Sequence, residues 1–511
     1  MKRVGVFAAM AALCVLLMIC PAALAEGEAV EIASQCRVTV ADAVASANLY
    51  DDDIDTYQSI GGGATLTIEF PVGGASYVFL DWTTLPSDYT VAQYAADGRQ
   101  LALDTYGDDM LNRLISVEAN ASQLCVTPSE GCRLGALAVY SPGKLPASQQ
   151  SWELPADKAD IMIFSAHPDD EHLFFGGIMP HYSGELGYRT QVVYMSHQKR
   201  LRQNEALAGL WTSGVTNYPV FLGFPDRYST TYEDAVGFWG EDEVLSRVVE
   251  QLRRFKPEVV VTHDVNGEYG HGAHRLTSRL VARAVELAAD PAQYAESAEE
   301  YGVWQVKKLY LHMYAENQIE MDWRQPLEAF GGKTAFDIAV ESYACHVSQH
   351  QYWFYVDDEG TYSCAKYGLA FTTVGYDVAK NDMLENIPAQ ALTNYVAPTP
   401  TPTQEPTPTP LATVEPIQTI PPDLIEEDNE DMKRIITVIA GAALSALLFI
   451  FAFPRLTRKG GKPLWAIVCA LPLVLALLLC FVSCTPTPVI QPTVQPTLTS
   501  SPMPTPTPVP T

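Results

Sequence analysis

His167, Pro168, Asp169 and Asp170 close an apolar run at 161–166 and carry the most distinctive chemistry of this chain. His167 and Asp170 offer an imidazole and a carboxylate three residues apart, able to grip one divalent metal, while Asp169 between them stays free to act on water. Much later, Gly267-Glu-Tyr-Gly-His-Gly-Ala-His274 supplies two more imidazoles. A catalytic zinc takes three protein ligands and keeps one position open, so His271 or His274 completes the set. A spare acid and a spare histidine remain, which is the equipment of a metal-assisted hydrolase.

Both motifs fall where strands should end. Segments 161–165, 191–195 and 258–262 are apolar and strand-like, and 201–211 and 275–289 carry helical periodicity. This alternation predicts an α/β fold with a Rossmann-like parallel sheet over 155–390. Ligands collect at the carboxyl ends of such strands, and His167 and His263 each directly follow one. Alone, an HxxH is commonly two helix-facing histidines and an Asp-Asp pair a helix cap. Their conjunction behind two strands selects a catalytic metal.

The Ala166-His-Pro-Asp-Asp-Glu171 run, Gly176-Gly177 and the distant His271-x-x-His274 resemble the PIG-L/LmbE family of zinc-dependent N-acetylglucosamine-type deacetylases. Arg202-Gln-Asn-Glu205 and Phe221-Leu-Gly-Phe-Pro-Asp226 are similar to family elements as well. The resemblance implies His167, Asp170 and His274 as zinc ligands and Asp169 as general base. It implies that His271, helped by Tyr269, protonates or stabilises the tetrahedral intermediate, and that Arg202 and Asp226 contact the sugar. Amide hydrolysis asks for these parts: an acidified water, a polarised carbonyl and a proton for the departing amine. One departure stands out, because Ala273 occupies a position that is often acidic in the family, leaving Asp264 or Glu268 to orient His271. An N/O ligand set of this kind also accepts other divalent metals, iron and cobalt among them.

Ahead of this region, 26–145 shows short alternating runs such as 64–70, 77–82 and 114–117, punctuated by glycines, and predicts an all-β sandwich. With Asn48-Leu-Tyr-Asp-Asp-Asp-Ile-Asp-Thr-Tyr57 and Leu137-Ala-Val-Tyr-Ser-Pro-Gly143 it resembles discoidin-like, galactose-binding-like jelly rolls. Asp51, Asp52, Asp53 and Asp55 form either a calcium site or an acidic turn. His172, His181 and His197 read as structural or surface groups, and Lys199 with Arg200 as a solvated face.

The ends give an address. Residues 1–25 read as a secretory signal ending in Ala23-Leu-Ala25. Thr-Pro repeats make 396–430 and 485–511 extended spacers. Segments 435–453 and 464–483 have the length and apolarity of membrane-spanning helices, joined by a basic loop that belongs on the cytoplasmic side. The expectation is a cell-membrane protein with its catalytic domain extracellular. Five of the ten cysteines are then exported, and Cys345 with Cys364, or Cys36 with Cys125 or Cys132, are possible disulfides. A net charge of −28, from 60 acidic and 32 basic residues, excludes nucleic acid as partner. The expected partner is an N-acetylated sugar or cell-surface glycan. The competing function is a surface carbohydrate-binding protein on a weakly active or inactive deacetylase scaffold.

Overall fold

In the computed structural model, residues 27–394 are described, apart from 52, 108–109 and 197–198. The signal segment 1–25, the spacers 396–430 and 485–511, the spans 435–453 and 464–483, and His197 lie outside the described residues. Among those described, no helix is long and apolar enough to cross a membrane.

Strand Ile161–Ser165 shows why the catalytic sheet is central. All five of its residues are buried, and their side chains alternate: Ile161 and Ile163 join the apolar core on one face, Met162 and Phe164 the core on the other. That pattern belongs to a strand covered on both sides. It pairs in parallel with Thr190–Ser196 on one flank and Val259–Thr262 on the other. Val220–Phe224 and Lys308–His312 extend the parallel array to five strands, Lys366–Thr372 pairs antiparallel with Lys308–His312, and Gln318–Glu320 pairs antiparallel with Lys366–Thr372 at the far edge. The expected parallel sheet is therefore mixed. Chain order reverses at Ile161–Ser165, so a crevice opens between its carboxyl end and that of Val259–Thr262.

Helices cover both faces. In Glu241–Phe255 the residues Val244, Leu245, Val248, Val249, Leu252 and Phe255 form one buried stripe, with acids in the first turn and arginines in the last, matching the helix dipole. Gly272–Leu287 packs beside it, while Arg200–Thr212 and Ala335–Tyr343 lie on the opposite face. The glycines of the first motif permit that packing. A Cβ on Gly176 would lie 2.3 Å from the His172 carbonyl oxygen, and one on Gly177 would lie 2.4 Å from the Trp323 ring.

Residues 27–145 form two antiparallel sheets of six and four strands around a shared core that includes Leu66, Leu80, Trp82 and Val126. This is the all-β sandwich expected. Its acidic turn closes on itself, since Asp51 accepts from the Asp53 amide and the Thr56 hydroxyl, and Asp53 accepts from the Asp55 amide. Asp52 lies outside the described residues, and nothing among the described ones supports calcium. Cys36, Cys125, Cys132, Cys345 and Cys364 all carry free thiols, so neither expected disulfide pairing is present.

Arg200 corrects the expectation of a solvated face. Its side chain is 10% exposed, and the guanidinium crosses to the sandwich, meeting Asp81 Oδ2 at 2.5 Å and the Ile54 carbonyl at 2.5 Å. A local charge run cannot report a partner 119 positions away in the chain. Removing one member of a buried pair strands the other's charge. Arg200→Ala is therefore expected to lower unfolding free energy by about 3 kcal/mol, read from chemical denaturation.

Candidate metal centre and active site

The first motif is anchored at every backbone step. The Ser165 hydroxyl donates to the His167 carbonyl and the Ser196 hydroxyl to the Ala166 carbonyl, while the Ala166 amide donates to His263 Nε2. Asp169 then takes φ +128°, a conformation costly for a non-glycine residue, and its amide donates to Glu171 Oε2 at 2.8 Å. This turn drives Asp170 beneath His167.

Three donor atoms meet there. Asp170 Oδ2 lies 3.0 Å from His167 Nδ1 and 3.2 Å from His274 Nε2, and the two nitrogens are 3.3 Å apart. Ligand atoms on a tetrahedral ion with bonds of about 2.0–2.1 Å stand about 3.3–3.4 Å from one another. The residues thus fit a metal in spacing, and they fit it in charge. Burial pushes the Asp170 carboxyl up, but the charge of His274 and the hydrogen bond with His167 carry it well below its ordinary range. Burial opposes a proton on His274, yet Asp170 and Glu268 raise its pKa to about 10. The pocket demands positive charge at this point, which a divalent cation supplies.

Behind the triangle stands Glu268. Its Oε2 accepts from His274 Nδ1 at 2.7 Å and His263 Nδ1 at 2.9 Å, and its Oε1 from His312 Nδ1 at 2.6 Å and the Asp264 amide at 3.1 Å. Because His263 Nε2 already accepts the Ala166 amide, its ring is a brace and not a ligand, despite lying near Asp170 and His274. Carboxylates behind metal-binding histidines fix ring orientation and basicity. Glu268→Gln is therefore expected to weaken metal affinity about 10- to 100-fold in chelator competition.

Asp169 Oδ1 accepts from Arg202 at 2.9 Å, and Arg202 also donates to the Pro168 carbonyl. Burial, then the charge of Asp170, push the Asp169 pKa up to about 7. His271 caps the helix Gly272–Leu287: its Nδ1 accepts the Ala273 amide at 3.2 Å, which leaves Nε2–H to donate. Burial, then the charges of His274 and His167, depress its pKa to about 2, so the ring is neutral. Asp226 Oδ1 stands 4.0 Å from His167 Nε2. The site opens into a cavity of about 550 Å³, walled by Tyr228, Tyr269, Tyr352, Trp353 and Phe354.

The profile of the family described as "PIG-L: GlcNAc-PI de-N-acetylase" matches residues 162–285, which hold every residue of the triangle. A protein of Frankia casuarinae, named 1D-myo-inositol 2-acetamido-2-deoxy-alpha-D-glucopyranoside deacetylase 1, is 32% identical over 219 residues, covering 36% of this chain and 69% of its own length. This chain belongs to the PIG-L family. A Geodermatophilus obscurus protein, named 1D-myo-inositol 2-acetamido-2-deoxy-alpha-D-glucopyranoside deacetylase, is 32% identical over 179 residues, 29% of this chain. The match spans 60% of that relative's length. Among solved structures, the N,N'-diacetylchitobiose deacetylase of Pyrococcus horikoshii aligns at 18% identity and TM-score 0.29, covering 38% of this chain and 71% of its own.

Within this PIG-L site, His167, Asp170 and His274 converge, Asp169 stands beside them, and His271, Tyr269 and Asp226 line the cavity. Two residues have partners that the resemblance did not name. Arg202 lines the cavity and also donates to the Asp169 carboxylate, its side chain 11% exposed, so it positions that carboxylate. Glu268 serves His274, His263 and His312, while His271 orients on a backbone amide. The aromatic wall at 352–354 escaped sequence reasoning; the only signal was the run Tyr352-Trp-Phe-Tyr355, outside any periodic element.

Proposed function

We propose that this chain is a zinc-dependent hydrolase that removes N-acetyl groups from N-acetylglucosamine-type sugars or glycans. We place it outside the cell, tethered to the membrane through 435–453 and 464–483. The observation that carries the activity is the triangle of His167, Asp170 and His274 with the Asp169 carboxylate beside it, at the floor of an open aromatic-walled cavity. The address rests on the leader-like 1–25 and the two apolar segments of the sequence.

A divalent ion held by the triangle supplies Lewis acidity toward the amide carbonyl and makes water easier to deprotonate. Asp169 accepts the water proton at its carboxylate, which Arg202 keeps in one orientation through Oδ1. His271 donates Nε2–H to the carbonyl oxygen as negative charge grows on it, a task that a neutral imidazole can perform. The carboxylic acid formed at Asp169 then returns its proton to the departing nitrogen, so acetate and a free amine leave. Trp353 and Tyr352, both more than half exposed, offer flat faces to a sugar ring.

The test is acetate release from a panel of N-acetylated sugars and chitooligosaccharides by the purified protein. Release that needs added zinc and disappears in His167→Ala supports the reading. Glycan binding that survives His167→Ala, with no acetate formed from any substrate, rejects it in favour of a binding protein.

A further inference from the structure

The geometry points to a second zinc site, formed by Glu171, His172 and His346 and buried behind the base. All three side chains are completely buried. His172 sits on the short helix Asp170–Leu173, and His346 follows the helix Ala335–Tyr343, so the two come together only in the folded chain. Glu171 Oε1 lies 3.3 Å from His172 Nε2 and 3.1 Å from His346 Nε2. Neither approach is a hydrogen bond in its geometry. Glu171 Oε1 and all four ring nitrogens of the two histidines have no hydrogen-bond partner.

Such a cluster is costly if nothing fills it, because a buried polar atom without a partner forfeits its hydration and gains nothing in return. Two other wholly buried imidazoles are satisfied: His263 and His312 each use both ring nitrogens. His172 and His346 use none. Their lone pairs and the Glu171 oxygen lie within 4.8 Å of one another, and the two measured edges match the separation of ligands on a tetrahedral ion. Two imidazoles and one carboxylate suit zinc better than calcium or magnesium, which prefer oxygen.

The surroundings are shaped for this pair. A Cβ on Gly209 would stand 2.5 Å from His172 Nε2, so only glycine at that position of the helix Arg200–Thr212 admits the ring. The Tyr194 hydroxyl, equally buried beside Glu171, adds a polar group to the lining. The site uses none of the atoms of the catalytic triangle, although the two sets share one short helix. Glu171 has a second duty: its other oxygen accepts the amide of Asp169 at the strained φ of +128°. An ion that fixes Glu171 fixes the backbone of the base, making this a structural, positioning site.

The experiment counts zinc in the purified full-length chain by elemental analysis and maps it by anomalous diffraction at the zinc edge. Two zinc per chain are expected in the natural protein, one in His346→Phe, one in His167→Ala, and none when both are replaced. The anomalous map of the unaltered protein should show a peak bonded to Glu171, His172 and His346, so a misfolding variant does not block the test. A single peak in the catalytic triangle, or a His346→Phe protein with an unchanged zinc count, overturns the proposal. In that case the three side chains share protons instead of an ion. Neither readout depends on activity, so failure here is distinguishable from failure of the deacetylase reading.

Discussion

Asp169→Asn is expected to lower kcat for acetate release by about 10³-fold, within the range of about 10² to 10⁴ typical of a lost general base. Asparagine keeps the shape of the side chain, and its carbonyl can still accept the Arg202 hydrogen bond. What disappears is the basic oxygen. The triangle is made by His167, Asp170 and His274, so zinc content should stay unchanged, and metal analysis on the same sample separates loss of base from loss of ion. The pH profile adds a second reading. Asp169 must be ionised to accept a proton, so kcat/KM should rise with pH through its pKa. Burial and the Asp170 charge raise that pKa from 3.8 to about 7. A cation on Asp170 offsets the second cause, which places the acid limb between about 4 and 7. That limb should vanish in the asparagine variant. A rate within tenfold of the natural protein would remove Asp169 from its role.

Much of this arrangement was legible because it depends on short-range rules. The run at 161–165 is apolar without interruption, which a strand covered on both faces requires, and polar residues that follow such a strand fall on its carboxyl rim. The sequence alone therefore puts His167 and His263 on one edge. What the sequence hid were contacts set by tertiary approach. Nothing local to Lys199-Arg200 announces that the guanidinium is buried against Asp81, because that fit depends on how the sandwich docks. His172 reads as a structural histidine until His346, from much later in the chain, arrives beside it. Glu268 was visible only as a possible partner for His271. Its actual role follows from the positive φ of Gly267 and Tyr269, which turns the carboxylate under three imidazoles at once. The edge strand Gln318–Glu320 was hidden for a related reason: it is three residues long, too short for a periodic signal.

His274→Ala and His263→Ala form the pair that most sharply divides ligand from brace. The two rings stack with centroids 4.2 Å apart, both are wholly buried, and both donate Nδ1–H to Glu268 Oε2. By position alone they are near equivalents. They differ at Nε2: that of His274 points to Asp170 and His167, and that of His263 accepts the Ala166 amide. His274→Ala is therefore expected to abolish zinc binding in the catalytic triangle and to reduce acetate release at least about 10⁴-fold, since the activating ion and its effect on water are lost together. His263→Ala should keep that ion. Its cost falls on stability, because the buried Ala166 amide loses its acceptor and a ring-sized cavity opens, together about 3 kcal/mol or more in denaturant unfolding. Activity measured on the folded fraction should fall far less than in His274→Ala. If the two variants lose zinc equally, His263 is a ligand, and the assignment of the triangle by the Nε2 contacts is wrong.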